Sequence, residues 1–309
     1  PRAELTWLVE RREHAILVGN PDIDHVVPVD TRLWRREFRQ PGGARTVALK
    51  VRGLVRRLRA GHFDVALDLQ GLWKSGVITA LTRAPVRIGF ALGACREFAN
   101  TLFTNHRVSV PSGAIHVVEE NLALLSVLGM SRESVGAPAL PIPADPVAES
   151  IIGRYLEEQG IKPETALIAL NPGAGGDAKR WTVEAYRRLG DELTSRLGAR
   201  AILCWGPGEE PLARAIGHGM RTAPLIPPPT SIPEMVAVLR RTSLVAGGDT
   251  GPIHVAAALG VPTVGLYGPT QARRNGPYGP RTATVQSRTG RMDDITVESV
   301  VTAAARLLP

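Results

Sequence analysis

The apolar positions of this chain fall into short, unalternating runs separated by longer stretches of helical period. Residues 64–69 (DVALDL), 166–171 (ALIALN), 199–205 (ARAILCW), 243–246 (SLVA) and 263–267 (TVGLY) carry little polar alternation, the pattern of strands covered on both faces in a parallel sheet. Between such runs, residues 183–197 (VEAYRRLGDELTSRL) and 233–240 (PEMVAVLR) repeat their apolar side chains at helical spacing. Strand and helix thus alternate as in βαβ units, and the class is α/β with doubly wound sheets. Residues 136–146 (GAPALPIPADP) hold four prolines, too many for a central strand or a helix interior. A domain boundary is placed there, giving expected domains 1–145 and 146–309.

Composition narrows the class without changing it. The chain has 309 residues, 44% of them hydrophobic and 21% charged, which suits two globular domains rather than a disordered or fibrous protein. No apolar run approaches the ~18 residues of a membrane span, and the opening PRAELTWLVERR lacks the apolar region of a signal peptide, so a cytoplasmic location is expected. Cys95 and Cys204 stand far apart in sequence and support neither a disulfide framework nor a cysteine zinc site. No His/Asp/Glu cluster has metal-ligand spacing, so neither a metal nor any other cofactor is expected.

The formal net charge is +8, and it is unevenly spread. Between positions 32 and 59, Arg32, Arg35, Arg36, Arg39, Arg45, Lys50, Arg52, Arg56, Arg57 and Arg59 face only Glu37. Such a run is either a solvated helix face or a surface for an anionic membrane or a phosphorylated substrate. Nucleic acid is disfavoured, because no zinc-finger or stacking-aromatic pattern accompanies the arginines.

The candidate chemistry lies where strands end. In residues 246–260 (AGGDTGPIHVAAALG) a strand stops at two glycines, Asp249, Thr250 and Gly251, and Pro252 falls in a first helical turn, where its missing N–H costs nothing. The first N–H groups of that helix, with the dipole behind them, make an anion site at the carboxyl edge of the sheet. His254, one turn after Thr250, faces the same place. A second glycine-rich turn, NPGAGGDAKRW from Asn171, contributes Gly173 and the point charge of Lys179. Two such turns converging suit a diphosphate. A third strand end, WGPGEE, adds Glu209 or Glu210 as a carboxylate for ribose hydroxyls, or as plain surface acids. In the first half, DLQGLWKS places Gln70 and Lys74 at another strand end, with Arg87 and Arg96 adding positive charge. One half for a nucleotide and one for an acidic second substrate describes a transferase.

These residues resemble a known family. FDVALDLQGLWKSG, REFANTLF, HVVEENLALL, the KRW of NPGAGGDAKRW, WGPGEE and GGDTGPIHVAAALGVPTVGLYGPT are similar to glycosyltransferase family 9, the heptosyltransferases of the lipopolysaccharide inner core. The resemblance implies the GT-B architecture of two Rossmann-like domains facing a cleft, and inverting, metal-independent transfer from ADP-heptose. It puts Asp249, Thr250, Gly251, Pro252 and His254 against the donor's diphosphate and heptose, Lys179 on the leaving phosphate, and Gly173 and Glu209 near the nucleoside. Asp249, His254 and Lys179 are the expected catalytic residues, and Gln70, Lys74 and Arg96 the expected contacts to an acidic, phosphorylated glycolipid acceptor. The acceptor domain is then residues 1–145 and the donor domain 146–309. A monomer working at the inner face of the inner membrane, and no nucleic-acid partner, complete the expectation.

The family's opening strand and its L-x-x-x-G-D loop, whose Asp is taken as the base, have no counterpart, because the first residues already look like a later strand (TWLVE). The sequence, which starts with Pro, is therefore expected to lack its first strand and helix. Two rivals stand beside this reading: another GT-B enzyme, such as a nucleotide-sugar epimerase or a uridine-donor transferase, and a non-catalytic nucleotide-sugar-binding protein.

Overall fold

The computed structural model describes residues 3–110 and 116–308, so Pro1, which the expectation of a missing start invoked, lies outside the described residues. The chain divides into two compact units, Val29–Pro138 and a second made of Pro1–Pro28 with Ala139–Pro309. β1 (Thr6–Glu10) and β2 (His25–Val29) form a two-stranded sheet. The 3-10 turn between them, His14–Ile16, packs on the helix Ile232–Arg240 of the same unit.

In the unit Val29–Pro138, β3 (Val65–Leu67), β4 (Val86–Phe90) and β5 (His106–Val108) pair in parallel and in sequential order. Ile88, Phe90 and Leu124 are its buried centre, with Val65, Leu67 and Val108 packed against them. The arginine-rich stretch folds into two helices, Thr31–Phe38 and Gly43–Ala60. The Asp30 side chain caps the first, accepting from the Leu33 N–H at 2.9 Å. Only Gly43 and Leu58 are buried in the second helix and nothing in the first, so the basic side chains lie on solvated faces. Glu37, the acid within the run, is taken up by Lys50, whose Nζ donates to its two oxygens at 2.6 and 2.7 Å.

The other unit is built on a five-stranded parallel sheet of β6 (Leu167–Asn171), β7 (Arg200–Leu203), β8 (Leu244–Gly248), β9 (Thr263–Tyr267) and β10 (Thr282–Gln286), in the order β10-β9-β8-β6-β7. Alternate side chains enter two separate cores. Ile168, Leu170, Leu203 and Leu266 pack with the helices Val183–Leu197, Glu210–His218 and Val297–Ala305 on one face. Leu167, Ala169, Ile202 and Val245 pack with Pro146–Glu158, Ile232–Arg240 and Gly251–Ala258 on the other. Burial on both faces is why these strands read as unbroken apolar runs. From β6 the chain first moves to β7, then returns to place β8 on the opposite side of β6. That reversal is a topological switch point, beyond whose carboxyl ends open α/β sheets hold their ligands.

Candidate functional site at the switch point of the larger sheet

The two glycines that end β8 have a packing cause. Gly247 pairs with Asn171 across the switch point, and a Cβ at position 247 would lie 2.6 Å from the Asn171 carbonyl oxygen. Only glycine lets the two strands stay paired to their ends. Asn171, itself buried, is then fixed at both poles. Its carbonyl accepts from the Tyr186 hydroxyl at 3.0 Å, and its Nδ2 donates to Thr250 Oγ1 at 2.8 Å. The Thr250 hydroxyl in turn donates to the Gly248 carbonyl at 3.1 Å. Thr250 is the N-cap residue of the helix Gly251–Ala258, yet its side chain accepts no bond from the first turn. A threonine here is the residue type expected to cap the helix, but Thr250 ties β8 to β6 and leaves the helix terminus uncapped. An uncapped N-terminus with its dipole intact attracts anions.

Beside this terminus stand Lys179, Asp249 and His254. Lys179 Nζ donates to Asp249 Oδ2 at 2.9 Å, and His254 Nε2 lies 3.5 Å from Asp249 Oδ1. The Asp249 side chain is 14% exposed, against 34% for Lys179 and 43% for His254. The carboxylate is therefore the inner member, and the lysine and histidine side chains are the more exposed. Hydrogen bonding from His254 lowers the Asp249 pKa most; burial opposes it, and Lys179 lowers it further, to about 2 from its ordinary 3.8. An acid held that low, with an oxygen to each neighbour, is a poor proton acceptor. Its physical role is to hold two donors in place.

The third strand end joins through Glu209. Its Oε2 accepts from the Gly206 N–H at 2.8 Å, folding the carboxylate back over its own turn. Any side chain at Gly173 would collide with that carboxylate, so the turns after β6 and β7 are in contact. Burial raises the pKa of the Tyr186 hydroxyl, and the Glu209 charge adds to the rise. Gly173, Lys179, Glu209, Asp249 and Thr250 thus lie in the connections that leave β6, β7 and β8, and Gly251, Pro252 and His254 at the start of the helix that follows β8, all at the carboxyl edge. Among the described residues, no group of three or more His, Cys, Asp or Glu side chains is placed to hold a metal ion.

The other unit has its own edge. Asp68, 3% exposed, accepts from the N–H groups of Gln70 and Gly71 at 2.9 and 3.1 Å and from Asn100 Nδ2 at 2.6 Å. Asn100 also donates to the Leu72 carbonyl at 2.8 Å, locking the turn after β3 to the 3-10 helix Phe98–Leu102. Gly71 has φ +63, and a Cβ there would sit 3.1 Å from the Arg96 backbone nitrogen. The backbone at Arg96 thereby packs on the turn that carries Gln70, and Lys74 follows in the first turn of the helix Trp73–Leu81. Gln70 and Arg96 are exposed and Lys74 is half-buried. Arg87 is diverted: its guanidinium donates to the carbonyls of Phe103 and Ala84.

The sequence reading passed over Asn171, Tyr186 and Asn100, which orient the rest. Asn171 carried a signal, an amide closing an otherwise apolar strand that ends buried. Tyr186 and Asn100 carried none, since their partners are 15 and 32 residues away.

Comparison with known proteins gives four matches. The family model for glycosyltransferase family 9 (heptosyltransferase) matches residues 51–304. The lipopolysaccharide heptosyltransferase 1 of Salmonella typhimurium is 28% identical over 281 residues, covering 90% of this chain and 83% of that protein. Among solved structures, a family 9 glycosyl transferase from Veillonella parvula superposes with TM-score 0.81 at 20% identity, over 98% of this chain and 88% of the other. Escherichia coli heptosyltransferase WaaC with ADP gives TM-score 0.78 at 24% identity, over 98% and 90%. The structural likenesses are likenesses of fold.

Proposed function

Because the chain belongs to glycosyltransferase family 9, we propose that it moves heptose from ADP-heptose to the inner core of lipopolysaccharide, inverting the anomeric centre and using no metal. It is a glycosyltransferase of the GT-B fold class; donor, acceptor, stereochemistry and membrane location are the proposal. The observation that carries it is the Lys179–Asp249–His254 arrangement beside an uncapped helix terminus at the switch point.

In this reading an acceptor hydroxyl oxygen attacks the heptose anomeric carbon in line. The bond from that carbon to the β-phosphate oxygen breaks, and its electron pair leaves with ADP. Charge therefore grows on the diphosphate, where Lys179, the His254 imidazole and the first N–H of the helix Gly251–Ala258 stand as fixed donors. Such donors cost no reorganisation at the moment of reaction, and removing one costs about 3–4 kcal/mol in comparable sites. The acceptor proton goes to a base other than Asp249, whose pKa near 2 unfits it for the task. Glu209 is assigned to the ribose, and Gln70, Lys74 and Arg96 to the acidic groups of the acceptor. The arginines of Thr31–Phe38 and Gly43–Ala60 are assigned to an anionic membrane surface.

The test has two parts. Calorimetric titration should show ADP binding at least about tenfold tighter than UDP, a difference of about 1.4 kcal/mol. Incubation with ADP-heptose and a delipidated inner-core acceptor should release ADP and give a product of inverted anomeric configuration. Equal affinity for the two nucleotides, or no transfer to any inner-core acceptor, overturns the reading.

A further inference from the structure

The acceptor edge of the unit Val29–Pro138 carries four exposed apolar side chains, three of them the most exposed large hydrophobics among the described residues. Trp73 is 57% exposed, Leu92 74%, Phe98 74% and Leu102 76%. They sit on segments already tied together. The Trp73 N–H donates to Glu97 Oε2 at 2.6 Å, the Glu97 N–H donates to the Gly71 carbonyl at 3.0 Å, and Asn100 bridges Asp68 and Leu72. Leu92 leads the loop that follows β4, and Phe98 and Leu102 open and close the 3-10 helix Phe98–Leu102. Large apolar side chains left in water on a well-anchored scaffold mark an interaction surface rather than loose packing.

Charge indicates what covers it. Lys74 follows Trp73 in the chain, the Arg96 backbone packs on Gly71, and Arg107 Nε donates to the Thr101 carbonyl at 3.1 Å, within the 3-10 helix that carries Phe98 and Leu102; Glu97, the acid among them, spends an oxygen on the Trp73 N–H. Apolar side chains including a tryptophan, rimmed by cations, fit the boundary of an anionic bilayer, where the ring and leucines enter the acyl region and the cations meet phosphates. We infer that Trp73, Leu92, Phe98 and Leu102 insert into the membrane leaflet as an apolar anchor at the lip of the acceptor edge, separate from the arginine helices. This rests on the proposed acceptor being a lipid. The anchor presents the edge bearing Lys74 and Arg96 to a glycolipid that stays in its leaflet, while the arginines supply a weaker, screened attraction.

Salt separates the two components. At about 1 M salt the screening length falls to about 3 Å, which silences the arginines but not apolar insertion. The full chain should still sediment with phosphatidylglycerol vesicles there. The variant Leu92→Ser, Phe98→Ser, Leu102→Ser should lose about tenfold or more of that salt-resistant affinity, while keeping its activity on delipidated acceptor within about twofold. Charge reversal at Arg35, Arg36, Arg56 and Arg57 should instead weaken binding in low salt alone. Acyl-brominated lipid should quench the chain's fluorescence, and Trp73→Phe should remove most of that quenching. Unchanged salt-resistant binding in the triple variant, quenching indifferent to Trp73, equal loss of activity on the soluble acceptor, or a change only in self-association would each overturn the anchor. If the unaltered chain shows no transfer to soluble acceptor, the enzymatic reading fails, while the vesicle and quenching results still decide the anchor.

Discussion

Asp68 and Asp249 each follow closely on a parallel strand, and each is largely withdrawn from water, at 3% for the whole residue and 14% for the side chain. Asp68 is spent on neutral donors, two backbone N–H groups and the Asn100 amide. Asp249 is spent on Lys179 and His254. The first use shapes a turn and leaves the nearby cations outside the carboxylate's immediate bonds. The second holds a cation and an imidazole where a charged group can meet them. A buried carboxylate at a strand end is therefore not in itself a catalytic sign; what it bonds to decides.

The comparison breaks most visibly on removal of each acid. Asp249→Ala frees both donors and should lower the transfer rate by about 100-fold with the fold retained, the size seen when one preorganised donor is lost. Circular dichroism beside steady-state rates checks this, and a wild-type rate would refute the assignment. Asp68→Ala should do the reverse. It strands three donors, costs about 1–3 kcal/mol of stability in urea denaturation, and leaves ADP affinity unchanged. Weakened ADP binding in that variant would erase the contrast between the edges.

Lys179→Ala sharpens the point further. ADP affinity should fall by about tenfold at low salt, and the gap should narrow as ionic strength rises, because this ammonium is one-third exposed and its field is screened. Calorimetry across salt concentrations reads both. The smallest effect is on pH dependence. A carboxyl whose folded pKa, about 2, lies below its ordinary 3.8 adds stability above 3.8 that fades as pH falls toward 2. Asp249→Asn should therefore flatten the fall of the urea midpoint across that window. Matching slopes in both proteins would mean that the carboxylate gains nothing from its partners.

In the larger sheet legibility tracked burial, whereas β3 was legible from its apolar run although its residues are only half-buried. β6, β7, β8 and β9 were readable because their side chains are buried in both cores, and Val183–Leu197 was readable to its ends because Thr182 caps it and Gly198 ends it with a positive φ. β10 (TATVQ) was missed: it is an edge strand with half-exposed and exposed residues, so its polar sequence gives no buried-strand pattern. At the site, the turns were visible as Gly, Asp and Thr clusters. What Asp249 does was not, because its donors come from positions 179 and 254. Thr250 had the right residue type for a cap, but the Asn171 amide reaches its hydroxyl first.

One feature of the chain's layout bears on its synthesis. The turn His14–Ile16 packs on Ile232–Arg240, in a unit whose two parts are separated by the whole of Val29–Pro138. On the ribosome the early segment emerges more than two hundred residues before that helix exists. At about 5–20 residues per second this is a wait on the order of ten to forty seconds. Throughout that interval Ile16 is without the core it packs against in the finished unit, so this unit closes only after the intervening one has been made.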